Sequence, residues 1–174
     1  MFKLRIFVPI VQALAWMYFG CFVKRTEVLT APSRLAHDRL LSAYPQVDIR
    51  LISNGVDLDT FSRHATVEQL RDRYPQHNDA TFLFVGRLGE EKSVSELISA
   101  MALVARANKE VRLFIVGDGP SRPDYVAQIA ALKLADRAFL LGRLAHGELL
   151  SSGLIHHALA FVTASTTENQ PMTL

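Results

Sequence analysis

Two cations and two carboxylates stand together where an apolar run ends, in FLFVGRLGEEKS (82–93): Arg87 and Lys92, with Glu90 and Glu91 between them. A guanidinium and an ammonium five residues apart, at a strand end and just ahead of a helix, can both face a diphosphate. A helix start adds unpaired N–H groups and a positive dipole end. A solvated loop that neutralises its own charges needs the same residues, so spacing leaves both readings open. Glu168, in TASTTENQPMTL, follows the last apolar run and is placed to accept hydrogen bonds from hydroxyls, or simply to start a helix. Gly117 and Gly119 in VGDGPS suggest a dinucleotide fingerprint, but Arg122 stands where its third glycine belongs. This is also not the first strand–helix turn, so a tight turn or a close ligand approach is expected instead.

Other chemistries lack their residues. No stretch reads as a P-loop, and no G-x-S-x-G elbow offers a hydrolase nucleophile. Histidines 37, 64, 77, 146, 156 and 157 have no metal-ligand spacing, and the adjacent pair 156–157 is expected to point in different directions. No metal or cofactor is expected. Nineteen Lys and Arg against 17 Asp and Glu give +2, which gives no electrostatic case for nucleic acid. The one cysteine, Cys21, excludes an internal disulfide framework and suits a reducing, cytoplasmic setting.

The elements that must hold these groups emerge from periodicity. Strands are expected at 27–31, 48–53, 81–86, 111–117, 138–142 and 158–165. Helices alternate with them: one opening at Ser33 as N-cap, VEQLRDRY, SVSELISAMALVARAN with a Ser93–Glu96 capping box, SRPDYVAQIAALKL, and a short HGELLSSG piece. The run 81–86 is apolar without alternation, as in a strand covered on both faces. Strand and helix in turn give an α/β domain, a doubly wound parallel sheet, which binds ligands beyond the carboxyl ends of its strands. Residues 6–23 carry no charge, but Pro9, Gln12 and Gly20 make them a poor span. A helix that is buried or lies at an interface is expected there, in preference to a membrane span or a cleaved signal.

Taken in order, APS, ISNGVD, GRLGEEKS, VRLFIVGDGP, FLLGRL and VTASTTEN resemble the nucleotide-binding half of the group 1 retaining glycosyltransferases. The resemblance covers residues 26–174 and implies one Rossmann-like half of a two-domain GT-B fold. It implies a nucleotide-sugar-dependent hexosyl transfer, with a non-catalytic nucleotide-binding module as the alternative. Arg87 and Lys92 match the pair that holds the donor diphosphate, and Glu168 matches the acid beside the donor sugar. Gly86 belongs to the first of these motifs. Asn169 and Gln170 lie against sugar and phosphate in that comparison, and Leu144 lies by the nucleobase. Asn54, Gly55 and Gly119 match loops lining the cleft.

Two departures are local: Ser93 stands where a glycine is usual, and Pro171 replaces a frequent glycine. The motif's second acid would fall at position 176, past Leu174, and only about 25 residues precede the matching region. The resemblance thus implies a truncated donor domain, residues 26–174, behind a hydrophobic and basic segment, 1–25, from the end of a missing acceptor-binding domain. The implied partners are a nucleotide-sugar donor, that missing domain and, peripherally, the inner face of a membrane.

Overall fold

The computed structural model describes residues 8–55 and 58–166, which fall into two compact units with that division. The first holds α1 (Val8–Val23), β1 (Val28–Ala31), α2 (Arg34–Ala43) and β2 (Asp48–Leu51). β1 and β2 pair in parallel from Val28 against Asp48 to Ala31 against Leu51. Ser33 caps α2 as expected, its hydroxyl accepting from the Ala36 N–H at 3.3 Å. Val23, Ala31, Val47 and Ile49 form a small core.

α1 is not buried within this unit, burial being one of the two placements expected for it and an interface the other. Only its C-terminal end is covered within this unit, while Trp16, Met17 and Tyr18 are between 62% and 76% exposed. Two short strands and one other helix do not present enough apolar surface to cover sixteen residues that are apolar on every side. No helix among the described residues is long and apolar enough to cross a membrane.

The second unit holds α3 (Leu58–Ser62), α4 (Val67–Arg73), β3 (Thr81–Val85), α5 (Val94–Ala107), β4 (Arg112–Val116), α6 (Arg122–Ala131), β5 (Ala138–Gly142), α7 (His146–Ser151), α8 (Leu154–His157) and β6 (Ala160–Phe161). Its sheet is wholly parallel, in the order β5-β4-β3-β6. The chain builds outward from β3 through β4 to β5, then returns to pair β6 on the other side of β3. Strand order therefore reverses between β3 and β6, the kind of place where doubly wound sheets open a crevice.

Side-chain alternation along the strands explains why both faces had to be apolar. Phe84, Leu113 and Ile115 face α5 and α6 in one core. Leu83, Val85, Phe114 and Val116 face the other way, with Leu70, Leu149 and Leu154. β6 is shorter than the eight residues expected, because only Ala160 and Phe161 find partners, on Phe82 and Leu83. Beyond Val162, whose N–H reaches the Leu83 carbonyl at 2.8 Å, the chain leaves the sheet.

Candidate functional site

Three strand exits build a cleft of about 500 Å³ at the carboxyl end of the larger sheet. The first, Gly86-Arg87-Leu88, leaves β3; the second, Gly117-Asp118-Gly119, leaves β4; the third, Gly142-Arg143-Leu144, leaves β5. Gly86, Arg87, Gly119 and Leu144, each expected from the sequence, all line it. Arg87 and Arg143 are exposed cations on its wall, and Asp118, whose carboxylate accepts from the Gly119 N–H at 2.8 Å, also lines it. Each of these residues leaves from backbone fixed at a sheet end, which sets where its side chain can reach.

The glycines have a structural reason more specific than ligand approach. Gly117 takes φ +144, and a Cβ there would stand 1.8 Å from the Gly86 carbonyl oxygen. A Cβ at Gly119 would stand 2.4 Å from the Leu88 oxygen. Their absence lets the exits zip together through backbone bonds. The Leu88 N–H donates to Asp118 at 3.0 Å, the Ser121 N–H donates to Leu88 at 3.1 Å, and the Gly117 N–H donates to Gly142 at 2.8 Å. Leu88 is fully buried and anchors the first exit in the core.

Lys92 lies outside that lining, further along the same loop. A single 3-10 turn, Glu90–Lys92, intervenes before α5. The expected Ser93–Glu96 capping box is not formed. Ser93 sits in the left-handed region (φ 49, ψ 38), whereas a capping hydroxyl needs extended backbone to fold back on the helix. The Glu96 N–H is taken instead by the Ser93 carbonyl at 3.0 Å. This also gives the physical reason for a glycine at position 93, the residue usual there in the resembling family.

Asn54 and Gly55 lie just beyond β2 in the other compact unit. Glu168, Asn169 and Gln170 lie outside the described residues. Sequence reasoning misses Arg143 and Asp118. The signal for Arg143 is the tripeptide Gly-Arg-Leu, which recurs at 86–88 and 142–144 at two strand ends.

Behind the cleft, α7 begins with Glu148 accepting from the Ala145 N–H and from Arg73 on α4. The Arg73 guanidinium, then the Ala145 amide, hold the Glu148 carboxyl below its usual range. A histidine cluster pins α8, the helix that leads into β6. The rings of His64 and His156 stack with centroids 3.6 Å apart, and His157 Nε2–H donates to the Ala65 carbonyl at 3.1 Å. His77 Nε2–H donates to the His157 carbonyl at 3.0 Å. Burial lowers the His77 pKa from its usual 6.5; burial and then the neighbouring His64 and His157 lower that of His156. These rings act as packing groups, and among the described residues no three metal-ligating side chains converge.

Known proteins extend this geometry. The family model for glycosyl transferases group 1 matches residues 66–174. The chain is 28% identical to an alpha-monoglucosyldiacylglycerol synthase of Streptococcus pneumoniae, over 87% of its own length and 35% of that protein's. It is 39% identical to an alpha-D-kanosaminyltransferase of Streptomyces kanamyceticus, over 52% of its length and 22% of that protein's. It therefore spans about a third or less of either relative. Among solved structures, Anabaena Alr3699/HepE in complex with UDP superposes with a TM-score of 0.67, at 22% identity, over 83% of this chain and 40% of that one. That likeness establishes the fold, the Rossmann-like half of a GT-B architecture.

Proposed function

The chain belongs to the group 1 glycosyl transferases, and from that premise we propose that it forms the donor-binding side of a retaining, nucleotide-sugar-dependent glycosyl transfer. The observation that carries this reading is the cleft itself: two arginines and close-packed glycine turns at the carboxyl ends of a parallel sheet. A nucleoside diphosphate matches it in size and charge. UDP is the nucleotide named with the solved Anabaena protein.

In this reading Arg87 and Lys92 face the diphosphate. As the bond from the sugar to the distal phosphate breaks, negative charge builds on the departing oxygen, and fixed cations stabilise it more there than in the bound donor. Leu144, with Arg143 beside it, meets the nucleobase. Glu168 accepts hydrogen bonds from the donor sugar's hydroxyls, and Asn169 and Gln170 lie along sugar and phosphate. The acceptor is held by an acceptor-binding domain, and the exposed apolar α1, followed by Lys24 and Arg25, supports peripheral contact with a membrane. A relative named as the synthase of a glucosyl diacylglycerol favours that contact.

A thermal-shift panel of nucleoside diphosphates, nucleoside monophosphates and nucleotide sugars tests the proposal. At a hundredfold excess over Kd, a bound ligand adds about 2.7 kcal/mol of stability. Diphosphates and nucleotide sugars are expected to raise Tm and monophosphates to do so far less. No shift with any diphosphate would reject the reading.

A further inference from the structure

One carbonyl joins the phosphate-side loop to the exit of the last strand. The Glu91 carbonyl accepts from the Thr166 N–H at 3.1 Å, from the Ser165 hydroxyl at 3.3 Å and from the Thr166 hydroxyl at 3.3 Å. These donors lie about 75 residues away in sequence, and they meet Glu91 beside the reversal of strand order between β3 and β6. The Glu91 carbonyl belongs to the same rigid peptide plane as the Lys92 nitrogen. Holding the oxygen therefore fixes the direction in which Lys92 leaves the turn.

The other side of Lys92 is constrained as well. Its N–H donates to the Gly89 carbonyl at 3.1 Å, and Ser93 after it holds a left-handed conformation that costs an L-residue free energy. Such backbone persists only where its surroundings over-determine it. On one side that constraint is the buried start of α5 at Val94, and on the other it is the grip on Glu91.

We infer that Ser165 and Thr166 are positioning residues for donor binding: they orient Lys92 toward the diphosphate and tie its loop to the segment that continues into Glu168. The inference rests on Lys92 being a phosphate-side cation. It adds two hydroxyls that act through another residue's peptide plane and touch no ligand themselves. Thr163 supports them in turn, since its hydroxyl accepts from the Ser165 N–H at 3.2 Å.

The test pairs binding with amide exchange. UDP is titrated calorimetrically into the parent, the double variant S165A/T166V, and T166S, each with and without Lys92→Ala. Loss of the two hydroxyls is expected to weaken UDP about tenfold, the scale of one well-made hydrogen bond. T166S should bind as the parent does, and in the Lys92→Ala background the double substitution should cause no further loss. A double variant that binds as the parent does, or an equal loss without Lys92, would overturn the inference. Exchange at the Lys92 and Ser93 amides should be faster in the double variant than in the parent, and unchanged protection would also overturn it. If the parent fails to bind UDP, the donor-site reading falls, while the exchange measurement still decides whether the two hydroxyls hold the turn.

Discussion

Gly86-Arg87-Leu88 and Gly142-Arg143-Leu144 are the same tripeptide at the ends of two strands of one sheet, yet the fold uses them differently. In the first, Leu88 is fully buried and its backbone is bonded to the exit of β4 in both directions, so Arg87 stands on anchored backbone. In the second, Gly142 takes φ +78, Leu144 is half-buried, and the chain enters α7 directly through the Ala145–Glu148 contact. Arg143 therefore stands just ahead of a short helix, and Arg87 ahead of a 3-10 turn that ends in left-handed Ser93. A shared motif fixes which residue faces the cleft. The element next in the chain decides how firmly that residue is held, and so which part of a ligand it can serve.

Substitutions can break this comparison at the seam between exits. Gly117→Ala should be the most damaging. Its methyl would lie 1.8 Å from the Gly86 oxygen at a φ of +144, where an L-residue is strained in any case. Relief needs the β3 and β4 exits to part, and a loss of at least about 3 kcal/mol is expected. Urea unfolding reads it directly, and a midpoint equal to the parent's would show that the exits are not zipped.

Arg143→Ala sharpens the contrast without touching the fold. Because Arg143 adjoins the stretch read as facing the nucleobase, its loss should weaken UDP about tenfold and leave inorganic pyrophosphate nearly unchanged. Equal losses for both ligands, in calorimetry, would place Arg143 on the phosphates beside Arg87.

Ser93→Gly should give the smallest effect, and a favourable one. Glycine removes about 1–2 kcal/mol of left-handed strain and gives back about 0.5–1 kcal/mol in unfolded-chain entropy. A net gain of at most about 1.5 kcal/mol is expected in chemical denaturation. A loss would mean that the serine hydroxyl makes a stabilising contact worth more than the strain.

The layers and the cleft are legible in the sequence because they depend on pattern. Unbroken apolar runs such as Phe82–Val85 specify strands covered on both faces, and glycines at their ends mark where exits must crowd. Ser33 is legible as a cap because its context is purely local. Ser93 misleads because capping also needs an extended backbone. That backbone follows a turn whose Glu91 carbonyl is bonded to residues 165–166, about 75 positions away. β6 falls short of its sequence pattern for a similar reason: Val162 still bonds Leu83, but from Thr163 onward the chain finds no partner strand. α1 reads as apolar in any context, and sequence does not say what covers it. Arg143 escapes notice because the second Gly-Arg-Leu gains meaning only once β5 is known to lie beside β4.

The most direct measurement of the central claim is calorimetric titration of inorganic pyrophosphate and of UDP into the parent and Arg87→Ala. If Arg87 holds the diphosphate from the anchored exit, the variant should lose about tenfold to a hundredfold for both ligands, as expected for one charge-assisted contact. Parent-like affinity of Arg87→Ala for pyrophosphate and UDP alike would contradict the account and return the first exit to a solvated loop.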